Sequence, residues 1–229
     1  LGQGGDDILS GGAGDDVLIG HSAGSDSGVD VLEGGAGNDT FYVDENDSYD
    51  GGEGVDTVIA LTEADLNVEL KDTGIERFFG GTGNDVIVGT DQNNELSGEA
   101  GDDELFAVAG NNSLKGGKGN DILHTGTGED ILSGGDGDDI IYVDKTDLFT
   151  GGDGNDTVIY ANEDDVVLDL GEDVENAEGN IGNDSLTGTD GANILKGHDG
   201  DDLLTGRAGD DTLLGGRGND RIDGGEGVD

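Results

Sequence analysis

Two stretches, Gly116-Gly117-Lys118-Gly119-Asn120-Asp121-Ile122-Leu123-His124 and Gly134-Gly135-Asp136-Gly137-Asp138-Asp139-Ile140-Ile141-Tyr142, carry one nine-residue pattern: Gly-Gly-x-Gly-x-Asp-x-apolar-x. The pattern runs without a gap from Gly80 to Tyr142, as 80–88, 89–97, 98–106, 107–115, 116–124, 125–133 and 134–142. Glycine lets the backbone take positive φ and turn tightly with its carbonyls exposed. The aspartate at the sixth position offers a hard anionic oxygen, suited to Ca²⁺ rather than to a softer metal. The last three residues read as a short strand whose middle side chain points inward, so each repeat is a turn followed by a strand.

Outward from this run the same phase holds. Toward the N-terminus it gives 2–10, 11–19, 25–33, 34–42 and 51–59, with a five-residue insertion Gly20-His21-Ser22-Ala23-Gly24 and an altered turn start, Ser25-Asp26-Ser27. Toward the C-terminus it gives 151–159, 179–187, 188–196, 197–205, 206–214, 215–223 and a partial 224–229. The eighth position of the complete repeats is always apolar, from Leu9, Leu18, Leu32 and Phe41 to Leu195, Leu204, Leu213 and Ile222. A Gly/Asp-rich linker would not keep that register, so a stacked core between two narrow parallel sheets is expected.

The pattern resembles the RTX (repeats-in-toxin, haemolysin-type) calcium-binding nonapeptide, and the resemblance covers nearly the whole chain. It implies an all-β fold, a parallel β-roll or β-solenoid in which two nonapeptides make one coil and Ca²⁺ lies between stacked turns. Carried onto this sequence, the metal ligands would be the side chains of Asp7, Asp16, Asp30, Asp39, Asp56, Asp85, Asp103, Asp121, Asp130, Asp139, Asp156, Asp184, Asp202, Asp211, Asp220 and Asp229, with backbone carbonyls of the glycine-rich turns. Asn94, Asn112 and Asn193 would be weaker ligands, each with one neutral oxygen. Alternate repeats turn on opposite sides. Asp85, Asp103, Asp121 and Asp139 therefore form one column and Asn94, Asn112 and Asp130 the other, followed by Asp184/Asp202/Asp220 and Asn193/Asp211/Asp229.

Four segments lack the motif: 43–50, 60–79, 143–150 and 160–178. The first reads as a half-coil without a calcium turn, with Tyr49 near the inward place, and this keeps Asp39 and Asp56 on one side. The second, in which Leu66, Val68 and Leu70 alternate with polar residues before Ile75, Phe78 and Phe79, reads as two short strands in one metal-free coil. Tyr142-Val143-Asp144 restates Tyr42-Val43-Asp44, and 151–159 restates 51–59. Residues 2–100 and 101–200 are thus read as an internal duplication within one continuous roll over 1–229, an excerpt of a longer protein.

Composition bears on the same question. The chain has 229 residues, with 55 acidic against 9 basic, 49 glycines, 31% hydrophobic residues and no Cys, Pro, Met or Trp. Alone, those values describe a disordered chain; a bound cation would supply what the narrow core cannot. A formal charge of −46 disfavours nucleic acid and anionic membrane as partners. No apolar run is long enough to span a bilayer. The family resemblance implies a module of a Gram-negative bacterium's exported toxin, enzyme or adhesin. Such a module leaves the cell unfolded through a type I secretion apparatus and folds outside, secreted or at the cell surface, on binding many Ca²⁺ ions. The alternative is an adhesin module whose exposed sheet faces bind a host-surface ligand or a neighbouring domain, with Phe78-Phe79 as the best single contact. His21, His124 and His198 share no metal or catalytic motif and are placed on the surface. No nucleophile or acid–base pair points to an enzyme; any catalytic domain would lie outside this stretch.

Overall fold

The computed structural model describes residues 1–20 and 28–229. His21, the rest of the insertion after Gly20 and the altered turn start at 25–27 lie outside the described residues. The described chain is all-β without a helix, and its strands pair in parallel as a β-solenoid of stacked coils.

Successive strands alternate between two faces. One face holds a three-stranded sheet (Ile8–Ala13, Val31–Ala36, Ser48–Glu53) and a nine-stranded sheet that runs from Asn67–Glu69 to Thr212–Arg217. The other holds an eight-stranded sheet from Val17–Ile19 to Leu148–Asp153 and a four-stranded sheet from Val167–Asp169 to Arg221–Glu226. The break in each face falls within one of the motif-free cassettes. The segment 43–50 starts the strand Ser48–Glu53, in which Tyr49 stands beside Leu32. The segment 60–79 supplies Asn67–Glu69 and most of Arg77–Gly81, the two short strands expected there.

Register follows the repeat. Ile122, Leu123 and His124 stand beside Ile140, Ile141 and Tyr142, so equivalent positions stack along the roll. The eighth-position residues Leu32, Phe41, Val58, Ile87, Leu105, Leu123, Ile141, Val158, Leu186, Leu195 and Leu204 are buried. Each such side chain contributes about 1.5–3 kcal/mol when removed from water. With only one of them per repeat, the core stays thin. Ile222, in the last of the described coils, is 49% exposed.

Two glycine tasks are visible. Most glycines at the second and fourth positions of the repeat take left-handed φ, as at Gly135 (+128°) and Gly137 (+135°). At four turns where another residue replaces the second glycine it is held in the same region, Gln3 (+88°), Glu99 (+76°), His198 (+77°) and Arg207 (+80°), whereas Thr90, Val108, Asn180 and Thr189 are not.

The pair Phe78-Phe79 is not a surface contact as a unit. Phe78 points inward and is buried, beside Val58 and Leu96, while Phe79 is half-buried on the outer face. A strand places neighbouring side chains on opposite faces, so only one of two adjacent aromatics can face outward. His124 lies outward, stacked between Phe106 and Tyr142 at centroid distances of 4.3 and 4.6 Å, with Glu104 3.2 Å from its Nε2. His198 pairs with Glu178 at 3.0 Å.

Candidate metal centre

The sixth-position residue ends each turn and precedes the first residue of a strand. Its carboxylate folds back under the turn, and one oxygen is used to bind the coils together. Asp103 Oδ1 accepts the Asp85 N–H at 2.7 Å, Asp121 Oδ1 accepts from Asp103 at 2.8 Å, and Asp139 Oδ1 accepts from Asp121 at 2.8 Å. The same link joins Asp16 to Asp39, Asp39 to Asp56, Asp7 to Asp30, Asp184 to Asp202, Asp202 to Asp220 and Asp211 to Asp229. Two columns of carboxylates thus run along the two edges of the roll.

The second oxygen is the informative one. Among the described residues, Oδ2 of Asp7, Asp16, Asp39, Asp56, Asp103, Asp121, Asp130, Asp139, Asp156, Asp202 and Asp211 is buried with no hydrogen-bond partner. A buried carboxylate oxygen without a donor is costly unless a cation satisfies it. Asn162 Oδ1, in the second cassette, is also buried without a partner.

Apart from Asp130, whose turn begins with Thr125, each of these Oδ2 atoms points to the place where the first glycine of its own turn would carry a side chain. A Cβ on Gly11 would lie 2.8 Å from Asp16 Oδ2 and 2.8 Å from the carbonyl oxygen of Gly34 in the next coil. The same convergence of a carboxylate and a carbonyl surrounds Gly34 (Asp39, Gly51), Gly80 (Asp85, Gly98) and Gly206 (Asp211, Gly224). The glycine at the first position is therefore required by space, where most of those at the second and fourth positions are required by φ. No group of three or more His, Cys, Asp or Glu side chains converges among the described residues. The donor set is one carboxylate per turn plus backbone carbonyls, a hard-oxygen set that fits Ca²⁺ and not a thiolate- or imidazole-seeking metal.

Burial shapes the electrostatics. Desolvation, reinforced by neighbouring carboxylates and opposed by the N–H each oxygen accepts, pushes Asp121 up to about 7 and Asp103 and Asp139 up to about 6. Asp56, Asp85, Asp156 and Asp202 are raised for the same leading reason. A cation between the turns would favour the charged forms.

Not every turn is built alike. Asp85 Oδ2 accepts the Gly81 N–H at 3.2 Å and Asp184 Oδ2 the Asn180 N–H at 2.8 Å, so the turns that follow segments 60–79 and 160–178 partly satisfy their own acids. Asn94 and Asn193 turn their Oδ1 atoms to the Thr90 and Thr189 N–H groups at 2.7 Å and donate from Nδ2 to the Glu76 and Glu175 carbonyls. Asn112 Nδ2 donates to the Ala109 and Gly110 carbonyls. Its amide protons stand where the acid turns present only oxygens.

Other column members were missed in the sequence. Asp47 and Asp147 occupy sixth positions: their Oδ1 atoms accept the Asp30 and Asp130 N–H groups at 3.0 Å, and their Oδ2 atoms accept from Asp44 and Asp144. Both oxygens are used, which fits a turn without an ion. Glu76 and Glu175 close the ladder in the cassettes by accepting from Asp56 and Asp156 at 2.9 and 2.8 Å. Their matching places in the duplication were the available signal. A second ladder, at the fifth position, runs in the opposite direction. Asn84 Oδ1 accepts from the Asp102 N–H, Asp102 from Asn120 and Asn120 from Asp138, at 2.8–2.9 Å. The recurrence of Asn or Asp just before the sixth-position aspartate was the available signal.

A family model described as RTX calcium-binding nonapeptide repeat (4 copies) matches residues 1–23, 25–58, 72–105, 79–114, 106–141, 144–167, 178–213 and 197–229. No curated protein matches the chain.

Proposed function

The chain belongs to the RTX calcium-binding nonapeptide repeat family, and from that premise we propose that it is a calcium-driven folding module of an exported protein. The observation that carries this reading is the set of buried Oδ2 atoms without donors, several of which, as for Asp16, Asp39 and Asp211, share the space around the first glycine with a carbonyl of the next coil. In this reading the ligands are the column aspartates from Asp7 to Asp229 that lack a second protein partner, together with first-glycine carbonyls. The turns of Asn94, Asn112 and Asn193 are closed by amide hydrogen bonds and take no ion.

Without cations the columns repel, and one inward side chain per repeat does not offset the entropy of ordering a glycine-rich backbone. Extracellular calcium modules bind at roughly 10⁻⁴ to 10⁻³ M, so millimolar calcium stabilises each site by only about 1 kcal/mol. Many sites sharing neighbouring turns make the transition cooperative. At submicromolar calcium the chain stays unfolded, a state suited to passage through a type I secretion channel before folding outside a Gram-negative cell. The module's work is binding and folding; it is not catalytic.

The test is circular dichroism from chelator to about 10 mM Ca²⁺, with Mg²⁺ as control, alongside ion stoichiometry by calorimetry. A cooperative, calcium-specific gain of β signal is expected. Asp121→Asn should lower the ion count and raise the calcium midpoint, while Asp102→Asn, which keeps the fifth-position acceptor, should leave the count unchanged. A β spectrum that persists in chelator at neutral pH would sink this reading.

A further inference from the structure

Where the first face breaks, between Ser48–Glu53 and Asn67–Glu69, the structure opens. Among the described residues no backbone hydrogen bond joins Ser48–Asp50 to Asn67–Glu69. A cavity of about 350 Å³ lies at this tear, within the size range of roughly 300–1,000 Å³ that small ligands and side chains fill. Its apolar wall includes Tyr49 and Phe78, with ring centroids 6.3 Å apart, and Val68. Burial pushes the Tyr49 phenol above its usual range, so it stays neutral. Asp44, Asp65 and Glu69 also line the cavity, and no Lys or Arg does.

The duplication supplies the comparison that gives these features a meaning. The corresponding tear, between Leu148–Asp153 and Val167–Asp169 on the other face, is furnished by the chain itself. Tyr160 replaces Ala60 and feels the charges of Asp144 and Asp147. Lys145, in place of Glu45, pairs with Asp164, and Arg207 pairs with Asp169, the counterpart of Glu69, at 2.6 Å. Two of only nine basic residues in the chain are thus spent on the acids around one tear, and an aromatic ring lies beside it. The first tear has the same unpaired strand edges and the acids, but neither the ring at position 60 nor a basic residue in its wall.

We propose that the first tear is a docking site for a short extended peptide segment that carries a lysine or arginine side chain. Unpaired strand edges recognise an extended backbone through main-chain hydrogen bonds. The Tyr49–Phe78 wall takes an aliphatic stem and attracts a cationic head. Asp65 and Glu69 set the sign of the charge, as Asp164 and Asp169 do for Lys145 and Arg207 in the second tear. The site is separate from the calcium turns, and its failure leaves the calcium reading intact.

The experiment is an NMR titration of the calcium-loaded chain, folded by circular dichroism, with the blocked tripeptide acetyl-Val-Lys-Val-amide at about 0.15 M salt, where long-range charge is screened. Saturable amide shifts confined to 48–50 and 67–69 are expected. Replacing the peptide's lysine by glutamate should weaken binding at least about tenfold. Glu69→Lys, which supplies the chain's own cation, should do the same. Ala60→Tyr, which imports the residue of the second tear, is the second variant and should block the site without altering its charge. Shifts spread along the acid columns, equal shifts from the glutamate peptide, or unchanged binding to a folded Glu69→Lys or Ala60→Tyr variant would overturn the proposal. So would butylamine alone reproducing the shifts at the same concentration, since the ammonium group would then bind without a peptide.

Discussion

The two cassettes are copies of one interruption, yet they sit on opposite faces and are furnished differently. The first breaks the sheet after Ser48–Glu53, the second after Leu148–Asp153. An odd number of strand steps separates them, and since alternate strands go to opposite faces, the duplication turned its copy over. The inward place holds Phe78 in the first and Ala177 in the second, while the strand before it ends in Ala60 in the first and Tyr160 in the second. Bulk has moved from one strand to the preceding one. The lesson is that a solenoid tolerates a break if something fills it, and that the filler need not come from the same position twice.

The largest expected effect concerns what flanks both tears. Chelation at pH 7.5 should abolish the β signal of both cassettes in a single transition, read by amide shifts of Tyr49 and Phe149. Acid should partly reverse this. Asp103, Asp121 and Asp139 have folded-state values of about 6, 7 and 6, raised by burial above the ordinary carboxylate. Between about pH 4 and 7 the folded state binds more protons than the unfolded one, so metal-free stability rises as pH falls through that window and is lost above it. Calcium must displace those protons, and its affinity should fall as pH drops below 7, with proton release measurable by calorimetry in buffers of different ionisation enthalpy.

Next in size is the core exchange. Phe78→Ala should cost about 3–5 kcal/mol in urea unfolding at saturating calcium, and Ala177→Phe, which overfills a place already served by Tyr160, about 1–3 kcal/mol. Equal and small effects at both positions would show that the two cassettes pack interchangeably. A smaller effect is expected at Arg207, whose φ of +80° is strained for a residue with a Cβ. Arg207→Gly should raise stability by about 1 kcal/mol while leaving Asp169 without its partner. The smallest change in stability belongs to Lys145→Glu, because an exposed ion pair adds little. Combined with Tyr160→Ala and Arg207→Gly, so that neither basic partner of the second tear remains, it should give that tear the peptide affinity proposed for the first, a gain read by the same NMR titration.

Much of this was legible from residues alone. The nine-residue period set strand, turn and inward position because each has a strict geometric demand: positive φ at Gly135, no space for a side chain at Gly34, an apolar group at Leu123. The cassettes were harder. Asp47, Glu76, Asp147 and Glu175 join the acid ladders without the glycines that flag the other turns, and a one-residue difference in cassette length blurs their register. The fate of the Asn turns depended on the direction of each amide.

Sequence by itself therefore determined the all-β repeat, its phase, the identity of the inward row and the oxygen-rich chemistry of the turns, because a local period repeated many times leaves little freedom. Only the tertiary structure decided which carboxylate oxygens remain without donors, which face each break falls on, and which break is filled by the chain's own side chains. Those outcomes depend on contacts between coils 17–20 residues apart, where a single odd step or a missing residue changes the neighbour that each side chain meets.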